Sequence, residues 1–99
     1  MRTSVSVENG TAVIKVIGNF VFDSGREAKE QADALGDDVK SIVLDMSDVP
    51  FIDSAGIGQL VSMLKSCTIS GKTLGLSGIR PDVLKVFQIT KLDKVFNLG

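Results

Sequence analysis

Ser41-Ile42-Val43-Leu44-Asp45-Met46, a four-residue connection, and then Phe51-Ile52-Asp53-Ser54-Ala55-Gly56-Ile57-Gly58-Gln59-Leu60 form the stretch that decides the fold. The first piece is a continuous apolar run interrupted only by Asp45, the pattern of a central strand covered on both faces or nearly so. The second piece runs into a helix. Ile57, Leu60, Val61 and Leu64 keep the spacing of one buried helical face, with Gln59, Ser62, Lys65 and Ser66 on the other. A buried strand followed by a polar turn and a long amphipathic helix is the first part of a parallel crossover.

Toward the N-terminus, Thr3 to Glu8 alternates with Val5 and Val7 on one face, Asn9-Gly10 is a hairpin signal, and Thr11 to Ile17 is rich in β-branched residues. Gly18 closes this hairpin, and Asn19-Phe20-Val21-Phe22 reads as an extended apolar connection. Ser24 and Glu27 have capping-box spacing for a helix reaching Leu35, with Gly36 as its C′ residue. Ala28, Ala32 and Leu35 form its apolar stripe, so it covers a sheet with one face only.

Toward the C-terminus, Ser70-Gly71 ends the second helix and Lys72 to Ser77 alternates Leu74 with Leu76. Arg80-Pro81-Asp82 opens a short helix with Val83, Leu84 and Phe87 on its buried side. Lys94 to Leu98 is read as a last strand. The predicted order is β-β-α-β-α-β-α-β: an α/β sandwich, with a mixed β-sheet and helices mainly on one face, forming a single domain over residues 1–99.

Composition narrows the function. The 99 residues carry 43% apolar side chains, enough for one core without staples, and the single cysteine, Cys67, cannot form an internal disulfide. A reduced, cytoplasmic protein is expected. No run approaches the ~20 apolar residues of a membrane span. A net charge of −1, with no Trp or Tyr and no basic run, argues against nucleic acid as a partner. Histidine is absent, which removes Ser-His and Cys-His catalysis and makes a zinc-type site a poor fit. The expectation is a binding or switching module, not an enzyme, with no metal and no cofactor.

One place could carry chemistry. Asp53 to Gly58 sets a carboxylate and a hydroxyl where a strand turns into a helix, and Gly56 and Gly58 let another backbone approach and leave Ser54 uncrowded. The first N–H groups of a helix are unsatisfied and partly positive, which suits an anion or a phosphorylated serine. The plainer reading is that Asp and Ser are common N-caps and that glycine at a turn marks packing. Nucleotide and hydrolase fingerprints do not fit: G-x-S-x-G would need glycine at Ile52, and G-x-G-x-x-G fails after Gly58. On the residues alone this is a candidate regulated turn.

The strand Ile42-Val43-Leu44-Asp45 followed by Phe51 to Leu60 resembles the signature of STAS domains, the family of bacterial anti-sigma factor antagonists: an apolar strand, a short loop, D-S-[SA]-G-[LI]-G and a helix. The resemblance covers nearly the whole chain, including the opening hairpin, Gly18, and Arg80-Pro81-Asp82-Val83. It implies a STAS-like sandwich and a cycle in which a partner-switching serine kinase, itself the anti-sigma factor, phosphorylates Ser54. The resemblance further implies that a metal-dependent serine phosphatase restores the protein. Two departures are visible. Many members carry Asp where this chain has Val21, the nearest acid being Asp23, and many go on to a closing helix, which is not expected after the last strand read here. Its ending is more similar to compact stand-alone members, some of which regulate secretion or biofilm pathways.

The resulting expectation is an anti-sigma factor antagonist, a monomer or weak dimer when free, that binds its kinase through Asp53, Ser54, Ala55, Gly56 and Gly58, with Phe20, Phe22 and Asp23 nearby. The alternative is a constitutive scaffold or adaptor in which Ser54 is only a helix N-cap. Phe20 and Phe22 share one side if their segment is a regular strand, and the plainer expectation is that both pack in the core; an irregular connection would separate them and expose one as a partner anchor. Cys67 is read as a small residue at the core edge, and Asp45 as a solvated charge at a strand end.

Overall fold

A computed structural model describes residues 3–98. The chain forms β1 (Thr3–Glu8), β2 (Thr11–Ile17), α1 (Phe22–Asp33), β3 (Ser41–Asp48), α2 (Ser54–Ile69), β4 (Thr73–Ser77), α3 (Pro81–Ile89) and α4 (Leu92–Val95). The four strands lie side by side in sequence order. β1 and β2 are antiparallel across the Asn9-Gly10 turn, where both residues adopt positive φ, and β2, β3 and β4 are parallel. Each parallel step needs a helical crossover, which α1 and α2 supply.

One face of the sheet carries the core. Ala12, Ile14 and Val16 of β2 stand beside Ile42, Leu44 and Met46 of β3, all buried, and Leu60 and Met63 of α2 and Ala28 and Ala32 of α1 join the same cluster. The other face holds Val13, Lys15, Val43 and Asp45, which are only partly buried, with Gly75 of β4 between open space and Val43. Ile42-Val43-Leu44 is therefore covered on one side, not two. Every second residue of β3 turns away from the helices. No helix among the described residues is long and apolar enough to cross a membrane.

Three expectations about element ends are corrected. α1 starts earlier than read: its N-cap is Val21, and Ser24 is the N3 residue, its hydroxyl accepting from the Val21 N–H at 2.9 Å and donating to the Asn19 carbonyl at 2.7 Å. The box is closed by the third residue of the helix reaching back, so a cap without a polar side chain serves. At its other end α1 stops at Asp33 with Ala34 as C-cap, and Gly36 is not the C′ residue. Finally, 94–98 is not a strand. Lys91 takes a left-handed conformation (φ 62°) and starts α4, and the Phe96 ring packs on Phe87 with centroids 6.0 Å apart. The Phe96 N–H bonds to the Leu92 carbonyl at 3.0 Å, so the last element is helical and the order ends α3-α4.

Candidate functional site

The site is built where β2 and β3 run out. Register slips between Lys15 and Ile17, and the Gly18 N–H then bonds to the Asp48 carbonyl at 3.0 Å. Two residues on, the chains meet again: Phe20 and Ile52 form an isolated parallel bridge, with the Phe20 N–H bonded to the Phe51 carbonyl at 2.8 Å. This pairing fixes parity. Phe20 and Ile52 both point into the core, and alternation sends their neighbours outward. It also sets the starts of α1 and α2 next to each other.

The turn residues then take distinct roles. Asp53 is the N-cap of α2, its carboxylate accepting from the Gly56 N–H at 2.7 Å and its carbonyl from Ile57 at 2.9 Å. Ser54 is the first helical residue. It is exposed, and its hydroxyl has no hydrogen-bond partner among the described residues. The cap reading of Ser54 is thereby corrected: an aspartate one residue earlier already does that work. The backbone N–H groups of Ser54 and Ala55 also lack an acceptor among the described residues, as expected at a helix start.

Other predicted site residues divide in the same way. Ala55 and Asp23 are exposed, Asp23 in the first turn of α1. Gly56 is buried; a Cβ there would stand 2.8 Å from the Phe20 carbonyl carbon and 3.0 Å from its ring, so this glycine serves the packing of α2 on the Phe20 segment. Gly58 is exposed with nothing within 4 Å of where its Cβ would be. No internal contact requires a glycine there, and a bare patch of helix one turn from Ser54 is the result. Phe20 is fully buried and offers no side chain to a partner, whereas Phe22 is 50% exposed. Sequence reading missed Phe51, 52% exposed and three residues before Ser54. Its outward direction follows from the bridge at Ile52, which nothing in the sequence announces.

Away from this end, Cys67 is buried near the far end of α2, beside a cavity of about 210 Å³ lined by Ala32, Leu35, Ser66, Ser70 and Lys72. Burial, reinforced by nearby Asp33, pushes the Cys67 thiol above its ordinary range, which disfavours the reactive thiolate. The Asp45 carboxyl lies below its ordinary range, chiefly because the Ser47 N–H donates to it at 3.0 Å.

A sheet of this order, with a helix-capping Asp and a free serine at the start of its second crossover helix, defines a class of protein. Residues 2–99 match the STAS domain pattern, and the chain belongs to the STAS domain family. Among solved structures it is similar to a candidate anti-sigma factor antagonist from Thermotoga maritima, at 23% identity and a TM-score of 0.82, covering 94% of this chain and 81% of that one. A sulfate transporter family protein from Wolinella succinogenes gives 25% identity and the same TM-score, covering 92% and 75%. The phosphorylated form of the Bacillus cell fate determinant SpoIIAA gives 20% identity and a TM-score of 0.71, covering 93% and 86%. The fold also occurs within much longer chains: this chain spans 20% of the length of Mglu.

Proposed function

We propose that this protein is an anti-sigma factor antagonist of the partner-switching type, which binds an anti-sigma-type serine kinase while Ser54 is free and lets go when Ser54 is phosphorylated. The observation that carries the reading is the division of labour at α2: Asp53 caps the helix, leaving Ser54 exposed with no hydrogen bond to give up. A phosphoryl group can be added there without dismantling the fold. Exposed Ala55, bare Gly58 and the exposed Phe22 ring supply a contact surface around it, with Asp23 at its edge. A metal-dependent serine phosphatase would reset the cycle.

The protein is a substrate in this scheme. Ser54 has no histidine to activate it, and the nearest carboxylate, Asp53, is engaged by the Gly56 N–H. Incubation with ATP and the cognate kinase, followed by intact-mass measurement, tests the scheme. The native protein gains one phosphoryl group and Ser54→Ala gains none. Equal modification of Ser54→Ala would place the phosphosite elsewhere, and no modification of either would favour a constitutive adaptor.

A further inference from the structure

The sheet ends at β4, Thr73-Leu74-Gly75-Leu76-Ser77, and no element of the described chain pairs with its outer side. The Thr73 N–H bonds inward to the Lys40 carbonyl at 3.0 Å. In a parallel ladder this sets Thr73, Gly75 and Ser77 facing β3 and leaves the N–H and C=O groups of Leu74 and Leu76 directed outward. No backbone partner for them is present among the described residues.

Edge strands are ordinarily protected by a charge, a proline or a bulge, and β4 contains none of these. The two flanking cations are both tied back to their own chain. Lys72 Nζ donates to the Gly36 carbonyl at 2.7 Å and also to that of Val39, and Arg80 Nε donates to the Ser47 carbonyl at 2.9 Å. Neither guards the edge. Leu74 and Leu76 pack against the core yet stay only partly buried, although Ile42 and Leu44 beside them are fully covered.

We infer that the β4 edge is a self-association surface, on which a second copy of this chain adds its own β4 antiparallel to make one continuous sheet. The strand is nearly palindromic about Gly75, and that symmetry selects the register. With Gly75 opposite Gly75 of the second copy, each Leu74 faces a Leu76, so all four outward N–H groups of the pair meet outward carbonyls. The two glycines form the non-hydrogen-bonded pair, where Cα atoms approach to about 4.5 Å. Leucines meet leucines on the helix side, and Thr73 meets Ser77 on the other. A net charge of −1 adds little repulsion between copies.

A five-residue edge is small, so the dimer is a weak one, below the roughly 1,200 Å² of a standard stable interface. The surface lies along the side of the sheet, whereas Ser54 lies beyond its end, and the pairing does not depend on the phosphorylation cycle.

Sedimentation equilibrium from about 10 μM to about 1 mM, a range suited to so small an interface, tests this. The native mass should rise from 10.5 kDa toward twice that value, and Ser54→Asp should follow the same curve. Gly75→Glu should stay monomeric with an unchanged melting curve, because its side chain enters open space in the monomer but meets its own copy in the dimer. Gly75→Cys should cross-link to a covalent dimer under mild oxidation, the expected Cα separation falling within the ~4.4–6.8 Å a disulfide spans, while Lys65→Cys on exposed α2 should not. A native protein that stays at 10.5 kDa throughout would overturn the inference and leave the edge to an extended segment of another protein. Dimerisation of Gly75→Glu equal to native, or no cross-link at Gly75→Cys, would overturn the register.

Discussion

The backbone of Gly56 passes so close to Phe20 that a Cβ on it would stand 2.8 Å from the Phe20 carbonyl carbon. Two glycines of one short motif are thereby separated by physics: Gly56 holds the start of α2 against the bridge segment, and Gly58, with open space above it, does not. Gly56→Ala should lower stability by about 1–3 kcal/mol through overpacking. Gly58→Ala should raise it by about 0.5–1 kcal/mol, since alanine is the better helix former, while weakening partner binding. Urea melts of both variants, with binding measured on Gly58→Ala, check the split; equal destabilisation by the two would contradict it.

Phe20 and Phe22 are two residues apart and have opposite fates. Phe20→Ala should cost about 3–5 kcal/mol of stability, the range for a fully buried aromatic. Phe22→Ala should leave the melting curve nearly unchanged and cost at least about 2 kcal/mol of partner binding, as an exposed anchor does. Thermal melts paired with titration against the kinase separate the roles, and undiminished affinity of Phe22→Ala would remove it from the interface.

How much of this was readable in advance depended on whether the signal was local. Asp53 to Leu64 was legible because a cap, two glycines and a helical period fall in one window. The start of α1 is hidden because a capping box ordinarily shows a polar N-cap, whereas Val21 holds that position and Ser24 reaches back to it. Lys94 to Leu98 reads as a last strand, but Leu92 and Phe96, four residues apart, belong to a helical turn closed on Phe87. The half-open position of Val43 and the outward turn of Phe51 are set by long-range pairing. Both crossover helices lie on one face, and the Phe20–Ile52 bridge decides which neighbours point out.

Asp45 gives the protein a pH signature. Its carboxylate is favoured in the fold, mainly by the Ser47 N–H and also by Lys15, so its folded-state pKa lies below the unfolded one. The stability this contributes is present above the ordinary carboxylate value of about 3.9 and is lost as pH falls through the folded value. The effect is modest because the group is largely solvated. Asp45→Asn should flatten the acid limb of stability against pH; an unchanged acid limb would show that the Ser47 contact does not favour the charged form.

In the proposed cycle, charge on Ser54 should set partner affinity. Phosphorylation adds about −1.5 to −2 charges beside Asp53, and the start of α2 returns only ~0.3–1 kcal/mol to the free protein. The fold should survive this, but in the complex the same charge would be desolvated against a surface that accepts a neutral hydroxyl, at a cost of several kcal/mol where an acidic group lies opposite. At ~1.4 kcal/mol per decade, affinity should drop by about two to three decades. Ser54→Asp, with one charge and fewer acceptor oxygens, should lose part of that, and Ser54→Ala should bind like the native protein. Calorimetric titration of the native, phosphorylated, Ser54→Asp and Ser54→Ala proteins against the kinase is the direct measurement. Native and Ser54→Ala proteins should bind most tightly, Ser54→Asp less and the phosphorylated protein least; full-strength binding by the phosphorylated protein would contradict the partner-switching cycle.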